Sequence, residues 1–208
     1  MVAREQTVRI IILNAGKSTR LDGQNKLFVS AGGQPVYRWH QRAFPDAALA
    51  VVTKTEDVET TKRALPSADR IVAHDAVDGP AGALSAYLSA YEDASVTVLY
   101  ADTLIAPQPI PAGDWVGIAP LSNRTWDHRQ PDGSWAKVIP SIRIGIGLYS
   151  FADVGYLRAC LAELGTHADQ HLPAILNFYE RERPMQDIEI AGWHDAGDYD
   201  ALARVPTY

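Results

Sequence analysis

The run Val8-Arg9-Ile10-Ile11-Ile12-Leu13-Asn14 constrains this chain more than any other segment: it is short, β-branched and apolar, then stops on Ala15-Gly16 and turns polar. A run greasy on both faces suits a strand buried inside a parallel sheet that feeds a loop. The pattern returns in ALAVVTKT (48–55), IVAH (71–74) and VTVLYADTL (96–104), the last ending in an acid. Between these runs lie helical stretches: PVYRWHQRAF, opened by Pro35, then DVETTKRAL, then the Ala-rich GPAGALSAYLSAYED, apolar at steps of three and four. Strands and helices alternating at these lengths predict an α/β fold of Rossmann-like layout. The expectation is a three-layer α/β/α sandwich with a mostly parallel, mixed central sheet and ligands at the carboxyl ends of the strands.

The later chain reads differently. NRTWDHRQPDGSWAKV carries Pro131-Asp132-Gly133 between two aromatic-bearing arms, which predicts a hairpin inserted beside the sheet. RIGIGLYSF is strand-like, FADVGYLRACLAEL and HLPAILNFYERER are helical, and MQDIEIAGWHDAGDYDALARV reads as a strand, a loop and a final helix. No repeat, low-complexity tract or linker interrupts the 208 residues, so residues 1–208 read as one domain, and 47 % hydrophobic content suffices for its core.

Charge and cysteine content narrow the function. A formal charge of −6 without any run of Lys or Arg argues against a nucleic-acid partner. No apolar stretch is long enough for a membrane span, and MVAREQTV lacks the apolar core of a signal peptide, so a cytoplasmic protein with no membrane partner is expected. Cys160 is the sole cysteine and sits in a helical context, where a buried structural thiol is the natural reading. His167 and His171, four apart, lack a third ligand for a metal.

Gly16-Lys17-Ser18 matches the end of a P-loop, but the motif fails because its first glycine position is Ile11, inside the strand. Extending the window through Leu13, Arg20, Leu21, Lys26 and Gly33-Gln34-Pro35 gives a specific match. It resembles the nucleotidyltransferase signature: a strand, L-x-x-G-x-x-x-R-L/M, a lysine, then G-x-P opening a helix. The Arg20-to-Lys26 step is similar to that of the molybdenum-cofactor guanylyltransferase branch. Asn14 stands where that family mostly has Ala or Gly, and Asn25 where Pro or Asp is common.

The chemistry asks for these residue types on its own terms. A triphosphate needs backbone N–H groups at close approach, hence small Ala15 and Gly16, with Ser18 and Thr19 adding hydroxyl donors. Arg20 offers a planar fork to phosphate oxygens, and Lys26 a point charge to the α-phosphate as negative charge builds. Asp102, at a strand end, resembles the aspartate that binds Mg²⁺ in this class, a cation that takes oxygen ligands and keeps several waters.

The resemblance implies a glycosyltransferase-A-type nucleotidyltransferase fold, with residues 1–105 as a nucleotide-binding half and 106–208 as an acceptor-binding half. Residues 13–19 (Leu13, Asn14, Ala15, Gly16, Lys17, Ser18, Thr19) would line the nucleotide, and Asp78, Gly79, Pro80 and Gly82 its base; Gly79-Pro80 would also simply start a helix. Trp193-His194-Asp195-Ala196-Gly197-Asp198 resembles W-x-D-x-G-T of sugar nucleotidyltransferases, making Asp195, or neighbouring Asp198, the second metal ligand. Lys137 lies where some relatives bind the acceptor. The implied reaction is Mg²⁺-dependent NMP transfer from an NTP to a small phosphorylated acceptor, a sugar-1-phosphate by the look of the C-terminal stretch, catalysed by Arg20, Lys26 and Asp102. The alternatives are a molybdenum-cofactor guanylyl- or cytidylyltransferase, a phosphocholine-type cytidylyltransferase, a glycosyltransferase (although Asp102-Thr103-Leu104 lacks the second acid of D-x-D), or a non-catalytic nucleotide binder.

Overall fold

The computed structural model describes residues 9–75, 78–120, 127–130, 132–136, 143–165 and 171–207. It opens with β1 (Arg9–Asn14), a 3₁₀ turn at Thr19–Leu21, and a hairpin of β2 (Ser30–Ala31) and β3 (Gln34–Pro35). There follow α1 (Val36–Ala43), β4 (Ala48–Thr53), α2 (Val58–Ala64), β5 (Ala68–Ala73), α3 (Gly79–Ala90), β6 (Val96–Tyr100) and β7 (Thr103–Leu104). The second half holds β8 (Trp115–Pro120), β9 (Asp127–Arg129), β10 (Trp135–Ala136), β11 (Arg143–Phe151), α4 (Val154–Leu164) and α5 (Leu172–Tyr179). It closes with β12 (Gln186–Glu189), β13 (His194–Asp195) and α6 (Tyr199–Arg204).

The main sheet runs β10-β9-β11-β6-β1-β4-β5, with β8 on the other edge of β11 and β12 beyond it. Strands β6, β1, β4 and β5 are mutually parallel, Ile11 lying opposite both Ala50 and Val98. Along β1 the side chains alternate between two cores. Ile10 and Ile12 pack with Trp39, Phe44 and Leu65, whereas Ile11 and Leu13 pack with Leu84, Tyr87, Leu157 and Leu176. Each isoleucine so buried contributes about 1.5–3 kcal/mol. Helices on both faces of one sheet make the expected three-layer α/β sandwich.

The second half makes the sheet mixed, because β11 runs antiparallel to β6, β8 and β9. The 127–136 hairpin has its turn where the sequence placed it, with Gln130 N–H donating to Ser134 O at 2.7 Å. It does not sit beside the sheet, however, but extends it, with Ile144 opposite His128. The reason lies in β11: at nine residues it is longer than β6 can cover, and its free end pairs with β9. The strand β8 escaped the sequence reading, since Gly117 and the terminal Pro120 dilute its apolar pattern.

A separate two-residue ladder joins β13 to β7, His194 opposite Leu104 and Asp195 opposite Thr103. Among the described residues no helix is long and apolar enough to cross a membrane. Cys160 is buried in α4 and free, as its context indicated.

Candidate active site

The parallel strands deliver their loops to one edge of the sheet. β1 leads into residues 15–18, where the buried Leu21 anchors the following 3₁₀ turn and Ser18 O accepts from Leu21 N at 2.9 Å and Gly23 N at 3.1 Å. Among the described residues, Ser18 (φ 50°) and Asp22 (φ 52°) are the non-glycine residues held in the left-handed region, a conformation that ordinary side chains adopt at a cost. Arg20, Lys17 and Thr19 stand exposed on this loop.

Asp102 follows β6 at the same edge, and its backbone is pinned from several sides. Ala101 N donates to Leu13 O at 3.2 Å, Ala196 N to Asp102 O at 2.8 Å, and Thr103 Oγ1 to Ile146 O at 2.5 Å. Lys26 Nζ lies 2.5 Å from Asp102 Oδ2. Burial alone would raise the Asp102 carboxyl, but the Lys26 ammonium, with Arg20 farther out, outweighs it and holds the acid below the usual carboxylate range. This acid is an anion in wait for cations.

Asp195 arrives from the other end of the chain through the β13–β7 ladder. A methyl group placed on Gly197 would lie 2.9 Å from Asp195 Oδ1, 3.2 Å from an Arg20 guanidinium nitrogen and 3.2 Å from Asp102 Oδ2. Arg20, Asp102 and Asp195 therefore border one spot that only a glycine leaves open. Asp195 Oδ1 accepts from Gly197 N at 2.8 Å, whereas Asp198 caps α6, its Oδ1 accepting from Ala201 N at 2.8 Å. That cap gives Asp198 a structural task and gives Asp195 the position beside Asp102. Two carboxylates facing one space fit Mg²⁺, which keeps waters and needs few protein ligands. Among the described residues there is no cluster of three or more His, Cys, Asp or Glu that would make a fully protein-built metal cage.

The turn before α3 lies at the same edge, past β5. Asp78 Oδ1 sits 2.8 Å from His74 Nε2, and a methyl on Gly82 would come within 2.2 Å of all three atoms of the Asp78 carboxylate. Gly82 thus makes room for Asp78, and Gly79 holds φ 71°, so both glycines have local reasons to be there. Pro80 sits in the first turn of α3, where its missing N–H costs nothing. Lys137 and His167 lie outside the described residues, so the acceptor lysine has no placement.

Two contributors were not singled out from sequence. Gly197 was read only as part of a motif. His40, on α1, is fully enclosed, with Nε2 3.0 Å from Ala101 O, immediately before Asp102. Burial lowers its pKa from 6.5 to about 4, against the opposing pull of the Ala101 carbonyl and the Asp102 charge, so at neutral pH it is an uncharged donor to that carbonyl. A helical histidine spaced onto the core face was the available signal.

An arginine, a lysine and two aspartates from three distant stretches meet at the carboxyl edge of parallel strands, an arrangement suited to phosphate chemistry. Residues 10–111 match the model of the MobA-like NTP transferase domain, a family of nucleotidyltransferases. No curated protein matches the sequence.

Solved structures resemble the chain over its whole length. A glucose-1-phosphate thymidylyltransferase candidate from Bacillus anthracis gives TM-score 0.78 at 19 % identity, covering 96 % of this chain and 94 % of that one. CTP:phosphocholine cytidylyltransferase from Streptococcus pneumoniae gives 0.76 at 13 %, covering 96 % and 97 %. The inositol-1-phosphate CTP transferase from T. maritima gives 0.75 at 13 %, covering 96 % and 96 %. At such identities the likeness speaks for the fold, the glycosyltransferase-A-like sandwich expected from sequence.

Proposed function

We propose that this protein transfers an NMP from an NTP to a small phosphorylated acceptor, a sugar-1-phosphate, in a Mg²⁺-dependent reaction in the cytoplasm. The observation that carries the reading is the convergence of Arg20, Asp102 and Asp195 around Gly197, with Lys26 paired to Asp102, in a chain that matches an NTP transferase domain. An acceptor phosphate oxygen attacks the α-phosphorus, a new P–O bond forms, the α–β phosphoanhydride bond breaks, and pyrophosphate leaves with its electrons.

Each side chain has a part. Arg20 grips the β- and γ-phosphates with its planar fork, and Lys26 neutralises charge that accumulates on the α-phosphate. Asp102 and Asp195 would hold Mg²⁺, whose contribution is Lewis-acid polarisation of phosphoryl oxygens. The loop of residues 13–19 would take the triphosphate and the turn at Asp78–Gly82 the base, leaving residues 106–208, including Lys137, to the acceptor. Catalysis of this kind needs positioning and charge neutralisation, with no covalent enzyme intermediate.

Support for the sugar-phosphate acceptor comes from the second half of the chain, which is covered along with the first by enzymes acting on inositol-1-phosphate and on phosphocholine. A molybdopterin acceptor is the second reading, favoured by the MobA-like match over residues 10–111. Pyrophosphate release with Mg²⁺, across the four NTPs and dTTP against sugar-1-phosphates, alcohol phosphates and molybdopterin, tests both. Release dependent on a sugar-1-phosphate is the expected result. Release only with the pterin replaces that acceptor, and binding of NTP without release under any acceptor overturns the transferase assignment.

A further inference from the structure

The two residues that depart from the family signature, Asn14 and Asn25, touch each other. Asn14 Nδ2 donates to Asn25 Oδ1 at 2.8 Å, and Asn25 Oδ1 also accepts from Leu27 N at 3.0 Å. The orientation is fixed by chemistry: the atom facing a backbone N–H must be oxygen, so Asn14 must present its nitrogen to it. The same Asn14 nitrogen lies 3.2 Å from Thr53 Oγ1, at the end of β4. One amide thereby ties the ends of two parallel strands to the residue preceding Lys26.

The backbone around Lys26 is held tightly in consequence. Asn25 closes a side-chain turn over Lys26 onto Leu27 N, its carbonyl accepts from Phe28 N at 3.0 Å, and Leu27 is fully buried. On the other side of the same strand end, Leu13 O holds Ala101 N, next to Asp102. Residues 13 and 14 therefore fix both ends of the Lys26–Asp102 pair. The arrangement has a cost, since Asn25 Nδ2 is buried with no hydrogen-bond partner, and a buried donor left unmatched is destabilising. An apolar pair would avoid that cost, which argues that the amides serve the site.

We infer that Asn14 and Asn25 form one positioning unit that aims Lys26 at the α-phosphate, so the two departures are a single compensated change. The inference rests on the transferase reading, and NTP binding supplies a readout that does not depend on turnover. The variants are Asn14→Ala, Asn25→Ala, their combination, and Asn14→Ala in the Lys26→Ala background. Pyrophosphate release gives kcat and KM, titration calorimetry gives NTP affinity, and thermal melts check the fold.

Each single variant should lower kcat by roughly ten- to a hundredfold, the loss typical of a misplaced catalytic group. The double variant should lose no more than the worse single, because both substitutions break one unit. Asn14→Ala should weaken NTP binding by a clearly larger factor when Lys26 is present than in the Lys26→Ala background. Losses that multiply in the double variant, or an equal loss of affinity with and without Lys26, overturn the inference. Should Asn14→Ala fail to fold, the half-buried Asn25→Ala carries the same comparison with Lys26→Ala. Wild-type protein that binds NTP and shows the coupling yet releases no pyrophosphate sinks the transferase reading alone; normal release with uncoupled asparagines sinks the positioning unit alone.

Discussion

Lys26 and Asp102 compensate each other's charge, and each loses its counter-charge when the other is removed. Lys26→Ala and Asp102→Ala should each cut pyrophosphate release by at least about a hundredfold, the scale of one preorganised charge. Circular dichroism should report an intact fold, and near-normal turnover in either variant would remove it from the mechanism. Gly197→Ala tests the crowding directly. Its methyl would displace Arg20, Asp102 or Asp195, all at side-chain tips, so activity should fall about tenfold or more while stability shifts by under ~1 kcal/mol. The structure brings together Arg20, Lys26 and Asp102, singled out as charges at a glycine loop or strand end, and Asp195, singled out only through the resemblance of the C-terminal motif. His40 and Gly197 were not singled out, for one acts through a backbone carbonyl and the other by lacking a side chain.

At the scale of elements, the sequence reading succeeded wherever a strand was uniformly apolar. The parallel strands β1, β4, β5 and β6 were visible; β8 was not, because Gly117 interrupts it where a side chain would press on Leu148 and Ile190 at 3.2 Å. The attachment of the hairpin to β11 was equally hidden, since the length of exposed strand edge is a property of the assembled sheet. The final helix offers a test of which acid belongs to the metal. Asp198→Ala removes the α6 cap and should cost about 1 kcal/mol of stability without altering the Mg²⁺ concentration needed for activity. Asp195→Ala should do the reverse, and an Asp198 variant with raised Mg²⁺ demand would exchange their roles.

For the whole molecule, His40 sets a pH dependence. Its pKa falls from 6.5 in the unfolded chain to about 4 in the folded one, so between those values the unfolded chain takes up a proton that the folded one refuses. Stability is therefore complete above pH 6.5 and declines as pH drops toward 4, by on the order of 3 kcal/mol. Asp102, held below the normal carboxylate range, loses its contribution only at more acid pH. Thermal melts from pH 4 to 7 should show this slope in the wild type and a flatter one in His40→Gln. Equal slopes would assign the acid sensitivity elsewhere.

The two-residue ladder between β13 and β7 joins positions ninety-two apart in sequence at its Asp195–Thr103 rung, and beyond it Pro206 O packs where Gly32 alone leaves room. A ribosome that has completed the central sheet through β11 has made Arg20, Lys26 and Asp102 but not Asp195. Under the proposed assignment, a chain that ends before residue 195 carries the side chains that face the phosphates but lacks the second carboxylate beside Gly197.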